Sequence, residues 1–143
     1  MKTISQILGS RAGIFIAVGP TESVHYALQI MAEHEVGALL VVENGSLVGI
    51  LSERDYARKV VLKGKLSHET QVHEIMAERV ICATHDMSIE EAMSVMTENH
   101  IRHLPVLDDT KDVIGVVSMR DLVQETIAEQ TFVIQQLESY IAL

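Results

Sequence analysis

Apolar residues recur along this chain with two different periods. Val24, Ala27, Leu28 and Met31 fall at i, i+3, i+4 and i+7, the stripe of an amphipathic helix. Ile89, Ala92, Met93 and Met96 draw a second stripe of the same form, and Ser88 with Glu91 predicts a capping box at its start. After the first stripe come two short β-rich runs, ALLVV (38–42) and LVGIL (47–51), separated by ENGS. Asn44-Gly45 within that separator favours the left-handed conformations of a tight hairpin turn. After the second stripe come LPVL (104–107) and VIGVV (113–117), joined by the polar DDTKD. The predicted order in each half is strand, helix, strand, strand, helix, with the last helices starting near Tyr56 and Leu122. The stretch KGKLSHETQVHEIM (63–76) reads as a linker with a short helical end. The tail TFVIQQLESYIAL places Val133, Ile134, Leu137 and Ile141 on one stripe, a helix packed on the rest of the chain or on a second subunit.

The two halves are copies. Shifted by sixty-five positions, Ala27 falls on Ala92, Met31 on Met96, Val36 on Ile101 and Leu39 on Leu104. After a one-residue insertion, GILSERD (49–55) falls on GVVSMRD (115–121), so that Ser52, Arg54 and Asp55 match Ser118, Arg120 and Asp121. One such copy would be marginal alone, whereas two can bury their apolar faces together. The expected segments are 1–13 at the N-terminus, a first repeat over 14–64, a linker over 65–77, a second repeat over 78–127 and a C-terminal helix over 128–143.

Composition narrows the function classes. With 48% apolar residues the chain can build a core, and its formal charge of −9 disfavours a nucleic-acid partner. The single cysteine, Cys82, cannot close a disulfide within the chain, which suits a reducing, cytoplasmic setting. The start lacks a signal-length apolar core and no apolar run reaches spanning length, so no membrane association is expected.

The Ser-x-Arg-Asp turn admits two readings. In one, the serine and the aspartate three residues later are simply a capping box. In the other, a strand-to-helix turn offers unpaired N–H groups and the positive end of a helix dipole to an anion. A cap has no need of arginine, yet Arg54 and Arg120 stand in both copies, each able to grip a phosphate through two charge-assisted bonds. Asp55 and Asp121 would then face away from phosphate, towards paired hydroxyls such as those of ribose. That set suits a ribose-phosphate and neither a metal nor a nucleophile. Arg54, Arg58, Lys59, Lys63 and Lys65 concentrate five of the 11 basic groups in one stretch, a local attractor for an anion. No HExxH or paired Cys/His spacing accompanies the seven histidines, and Cys82 lies in the apolar RVICA. A catalytic role is therefore not expected.

On these residues the chain resembles a tandem pair of CBS domains, the module named after cystathionine β-synthase. The likeness rests on QIMAEHEVGALLVV, ENHIRHLPVLDD and both GxxSxRD turns; SERDYARKVVLKGKLSHETQVHEIM is further similar to short stand-alone CBS-pair proteins of bacteria and plant organelles. The resemblance implies an α+β (α/β-like) fold: two β-α-β-β-α repeats packed as a pseudo-twofold Bateman-type module, flanked by N- and C-terminal helical segments. It also implies clefts for adenosyl nucleotides, AMP first, with ADP, ATP or NAD as alternatives, and no catalytic cofactor. Carried over, one cleft would use Ile16, Ala17, Gly37 and Ala38 with Ser118, Arg120 and Asp121. The other would use Ile81, Cys82, Arg102 and His103 with Ser52, Arg54 and Asp55, and Arg58 and Pro105 are further expected binding residues. Gly37-Ala38 in place of Arg102-His103 predicts clefts of unequal affinity. The function implied is a non-catalytic sensor, homodimeric, acting on a separate regulated protein. The alternative is an interaction or redox-regulatory scaffold with weak or no ligand binding.

Overall fold

Thr3 starts the first helix, α1 (Ile4–Leu8): its hydroxyl accepts from the Gln6 amide while the Gln6 side chain accepts from the Thr3 amide. Next come β1 (Ala17–Val18), α2 (Val24–His34), β2 (Ala38–Glu43) and β3 (Ser46–Ser52). α3 (Glu53–Tyr56) then runs into a π-helical turn over Ala57–Val61, and 3-10 turns cover Ser67–Glu69 and Val72–Glu74. The second half holds β4 (Ala83–Thr84), α4 (Ile89–Glu98), β5 (His103–Leu107), β6 (Val113–Ser118) and α5 (Met119–Ile141). This computed structural model describes residues 2–13 and 15–142. The chain divides into a first unit, Ile14–Ile81 with Thr110–Val113, and a second unit, Met1–Gly13 with Cys82–Asp109 and Ile114–Leu143. Each carries one mixed three-stranded sheet, ordered β1-β2-β3 and β4-β5-β6, so the α+β class holds.

In the first unit β1 runs parallel to β2, with Ala17 opposite Leu40, and β2 is antiparallel to β3. The hairpin between them turns at Asn44 (φ 52°) and Gly45 (φ 82°), with Glu43 paired to Ser46, as the Asn-Gly pair requires. The α2 stripe sinks Val24, Ala27 and Met31 into a core with Val18, Leu39, Val41, Leu51, Val60, Val72 and Ile75. Ser23 caps α2 by accepting from the Tyr26 amide at 3.1 Å. The helix ends on Glu35 in the left-handed region (φ 55°). His25 on α2 stacks on His68 with ring centroids 3.7 Å apart, tying down the 67–69 turn.

The second unit repeats this design. β4 is parallel to β5, and Ile89, Ala92 and Met96 of α4 are buried, as are Leu104, Val106, Val117 and Leu122. Ser88 caps α4 from the Glu91 amide, and α4 is followed by His100 in the left-handed region (φ 55°), the counterpart of Glu35.

The repeat reaches further than the GxxSxRD motifs. In the first unit the Val72 amide donates to the Glu22 carbonyl at 2.9 Å and the His73 amide to Pro20 at 2.9 Å. In the second unit Ile4 donates to Met87 and Ser5 to His85, both at 2.9 Å. Gln71 bridges Ser23 and Thr3 bridges Ser88, each at the N-cap of its unit's first long helix. Thr3–Leu8 and Gln71–Met76 are thus one element twice: Ile4 is buried as Val72 is, while in the last two places buried Leu8 matches half-buried Met76, and buried Ile75 matches half-buried Ile7. This element explains the motif glycines. A Cβ on Gly49 would lie 2.6 Å from Met76 Sδ and 2.9 Å from the Ala77 carbonyl oxygen, and one on Gly115 would lie 2.9 Å from Leu8 Cδ2.

Two local expectations are corrected. α3 and α5 start at Glu53 and Met119, three residues ahead of Tyr56 and Leu122, because Ser52 and Ser118 are themselves the N-caps. The tail stripe is not a separate helix: α5 runs unbroken from Met119 to Ile141.

His85 Nε2 sits 2.9 Å from Asp109 Oδ1 in the second unit, and this hydrogen bond, with the nearby acids, raises its pKa above the ordinary histidine value. A raised folded-state value means the contribution is complete below the unfolded pKa of about 6.5 and disappears as pH rises through the folded one. The pair is exposed, so the effect is small and salt-sensitive. By NMR, Asp109→Asn should lower the His85 midpoint; an unchanged midpoint would show that the pair is not formed in solution.

Candidate functional site

Each Ser-x-Arg-Asp turn is built by a strand that ends on the helix cap. At the first, the Ser52 amide and hydroxyl both donate to Asp55 Oδ2 at 3.0 Å, and Ser52 Oγ accepts from the Asp55 amide at 3.1 Å. At the second, the Ser118 amide donates to Asp121 Oδ2 at 2.9 Å and Ser118 Oγ accepts from the Asp121 amide at 3.0 Å. Both aspartates are therefore capping-box partners, and both turns are pinned to the residue just ahead of the hairpin's first strand. The Glu53 amide donates to the Gly37 carbonyl at 3.0 Å and the Met119 amide to the Arg102 carbonyl at 2.8 Å.

The turns differ in what surrounds the carboxylate. Lys59 Nζ lies 3.2 Å from Asp55 Oδ1 and also donates to the Ile75 carbonyl at 2.9 Å. Asp55 is thus engaged on both oxygens. The position matching Lys59 at the second turn is Glu125, which pairs with Lys2 instead. Lys59 pairs with the first aspartate from the next helical turn, and Glu125 stands at the matching position of the second. The helices differ too. α3 passes into a π-helical turn after four residues, whereas α5 continues for 23, so its peptide dipoles add without interruption behind the Ser118 turn.

Arg54, Arg58, Arg102, His103 and Arg120 are exposed and, among the described residues, make no ion pair. Gly37 is exposed too, while Ile16, Ala17, Ala38, Ile81 and Cys82 are half-buried and Pro105 is buried. Ile16, Ala17, Gly37, Ala38, Ser52, Arg54, Asp55, Arg58 and Ile81 belong to the first unit. Cys82, Arg102, His103, Pro105, Ser118, Arg120 and Asp121 belong to the second. Burial raises the Cys82 thiol above its ordinary pKa, which makes it a poorer nucleophile. Among the described residues no group of three His, Cys, Asp or Glu side chains is placed to hold a metal ion, and no helix is long and apolar enough to cross a membrane.

Sequence reasoning missed one feature. A groove of about 550 Å³ opens on the first unit between α2 and α3, walled by Leu28, Met31, Val36 and Tyr56 with Glu35 and Glu53 at its polar edge. Its size is that of a ligand site. Its two carboxylates and absent bases suit an apolar side chain and repel phosphate. Leu28 and Met31 are visible in the helix stripe and Val36 as a repeated position, but nothing in the sequence says that Tyr56 faces them.

Comparison with known proteins agrees with the repeat. The family model for the CBS domain matches residues 14–62 and 72–127. The chain is 38% identical, over 97% of its length and 71% of the other's, to the mitochondrial CBS domain-containing protein CBSX3 of Arabidopsis thaliana. A solved CBS-domain protein of Burkholderia ambifaria is 43% identical and superposes with a TM-score of 0.80, covering 90% of this chain and 96% of that one. The CBS domain pair of protein MJ0100, solved in complex with 5-methylthioadenosine and S-adenosyl-L-methionine, is 28% identical with a TM-score of 0.73, covering 87% and 99%.

Proposed function

We propose, since this chain belongs to the CBS-domain family, that it is a non-catalytic regulatory module whose Ser-x-Arg-Asp turns hold an adenosyl ligand. It pairs with a second copy and acts on a separate partner protein, in a reducing compartment that we take to be the cytoplasm. The observation that carries this reading is the Ser118 turn. There a helix of 23 residues, capped by Ser118 and Asp121, starts beside the exposed Arg120. Arg120 and the helix N-terminus supply a phosphate grip. Asp121 supplies an acceptor for ribose hydroxyls, and an ionised carboxylate has about four acceptor sites, so capping and ribose binding are compatible.

Adenosyl chemistry is supported by the MJ0100 pair, whose two ligands share adenosine and carry no phosphate. For this chain AMP is the first choice because both turns include an arginine; ADP, ATP and NAD share its adenosine and phosphate. Drug-sized ligands gain roughly 0.3 kcal/mol per heavy atom, which for AMP gives a dissociation constant on the order of 10 µM, in the range of a sensor.

Thermal unfolding with added nucleotide tests this. At a hundredfold excess over the dissociation constant, AMP should stabilise the protein by about 2.7 kcal/mol, a midpoint rise of roughly 5–10 °C. GMP and inorganic phosphate should do much less. An unfolding midpoint indifferent to AMP, ADP, ATP, NAD and S-adenosylmethionine would favour the scaffold alternative.

A further inference from the structure

α5 carries much more apolar surface than its unit uses. Leu122 is fully buried, but Val123, Ile127, Val133, Ile134, Leu137, Tyr140 and Ile141 are between 38% and 80% exposed. Val123, Ile127, Gln130, Ile134, Leu137 and Ile141 are spaced by alternating steps of four and three. That is the d, a, d, a, d, a seam of a heptad, a period that a lone surface helix has no reason to keep. Isoleucine fills every a position, and valine, glutamine and leucine fill the d positions. Val133 and Tyr140 flank the seam at g, and Phe132 lies off it. Glu125 and Glu129 sit at f and c, off the seam, Glu125 paired with Lys2 and Glu129 exposed, leaving Glu138 as the one charge beside the seam.

We propose that the seam from Val123 to Ile141 pairs, parallel and in register, with the same helix of a second copy of this chain. β-branched residues at a with Leu at d favour two strands. Gln130 selects the partner and the direction. In a parallel pair it meets its own copy, and each amide can donate to the other's carbonyl oxygen. An antiparallel pair centred on the seam would set it against Ile134, and an unrelated apolar groove would leave its amide buried without a partner. An anionic lipid surface is excluded by charge, because no Lys or Arg follows Arg120. The seam is short, but folding of the second unit already orders the helix, so pairing does not bear the nucleation penalty of free peptides. This gives a surface to the self-pairing within the proposed function, and it is independent of the nucleotide.

The test uses the full chain on a Cys82→Ser background with a single new thiol. Under mild oxidation Gln130→Cys should convert almost wholly to a disulfide-linked dimer, while Glu129→Cys on the outer face should remain monomeric on a non-reducing gel. Sedimentation should show Ile134→Asp weakening the dimer by roughly a hundredfold with unchanged circular dichroism. A dimeric mass without Gln130 cross-linking would overturn the seam while sparing self-pairing. A monomeric mass, or co-sedimentation with phosphatidylcholine vesicles in place of dimerisation, would overturn both. None of these results bears on nucleotide binding.

Discussion

Gly49→Val is expected to destabilise the protein by about 3 kcal/mol, the upper end of what overpacking a well-filled site does. The obstruction is backbone: the Ala77 carbonyl oxygen would lie 2.9 Å from the first added carbon. Moving it would break the paired bonds between Ile50 and Ala77, at 3.0 and 2.9 Å. Gly115 makes the informative contrast. There the obstruction is the Leu8 side chain alone, at 2.9 to 3.5 Å, which can change rotamer. Gly115→Ala should therefore be milder, and trimming Leu8 to Ala in the same chain should cost less than the two changes summed. Chemical denaturation checks all three. Equal effects of Gly49→Ala and Gly115→Ala would show that α1 is held as rigidly as the 72–77 crossing, contrary to this account.

Asp121→Asn is expected to weaken AMP binding by about 10- to 100-fold, the range of one charge-assisted hydrogen bond of 1.5–3 kcal/mol. The amide can still present an oxygen to the Ser118 amide, so loss of cap stability should stay near or below about 1 kcal/mol. Asp55→Asn should weaken AMP binding at the Ser52 turn and also release Lys59 from its ion pair. A variant that unfolds would not separate these effects, which is why asparagine is preferred to alanine. Calorimetry on both variants reads the affinities directly. An AMP affinity unchanged by Asp121→Asn would show that this carboxylate does not hold the ribose.

Much of this was legible in the chain. The 3.6-residue stripes found α2 and α4, and Asn44-Gly45 found the hairpin, because periodicity and turn chemistry are local. The helices α3 and α5 were set three residues late for an equally local reason. Their first turns, Glu53-Arg54-Asp55 and Met119-Arg120-Asp121, carry the motif's polar chemistry, so the apolar signal begins only afterwards. The extra element, Thr3–Leu8 matching Gln71–Met76, escaped because just one residue, Ile7 with Ile75, is identical between TISQIL and QVHEIM. Only the shared hydrogen bonds and the covered glycines reveal it. The motif glycines likewise could be read as repeated but not as crossed by a neighbouring segment. In the candidate site, the serine-aspartate cap was readable from spacing. The capture of Asp55 by Lys59 was less so, since Lys59 also needs the Ile75 carbonyl to hold it there.

The account stands on a carboxylate that grips a sugar's two hydroxyls. Calorimetric titration of the wild-type protein and Asp121→Asn with AMP and with 2′-deoxy-AMP addresses it most directly. Losing the 2′-hydroxyl should weaken binding to the wild type by roughly tenfold, the size of one such bond, and should make little further difference in the variant. Equal affinity of the wild type for both nucleotides, or no heat from either, would contradict it.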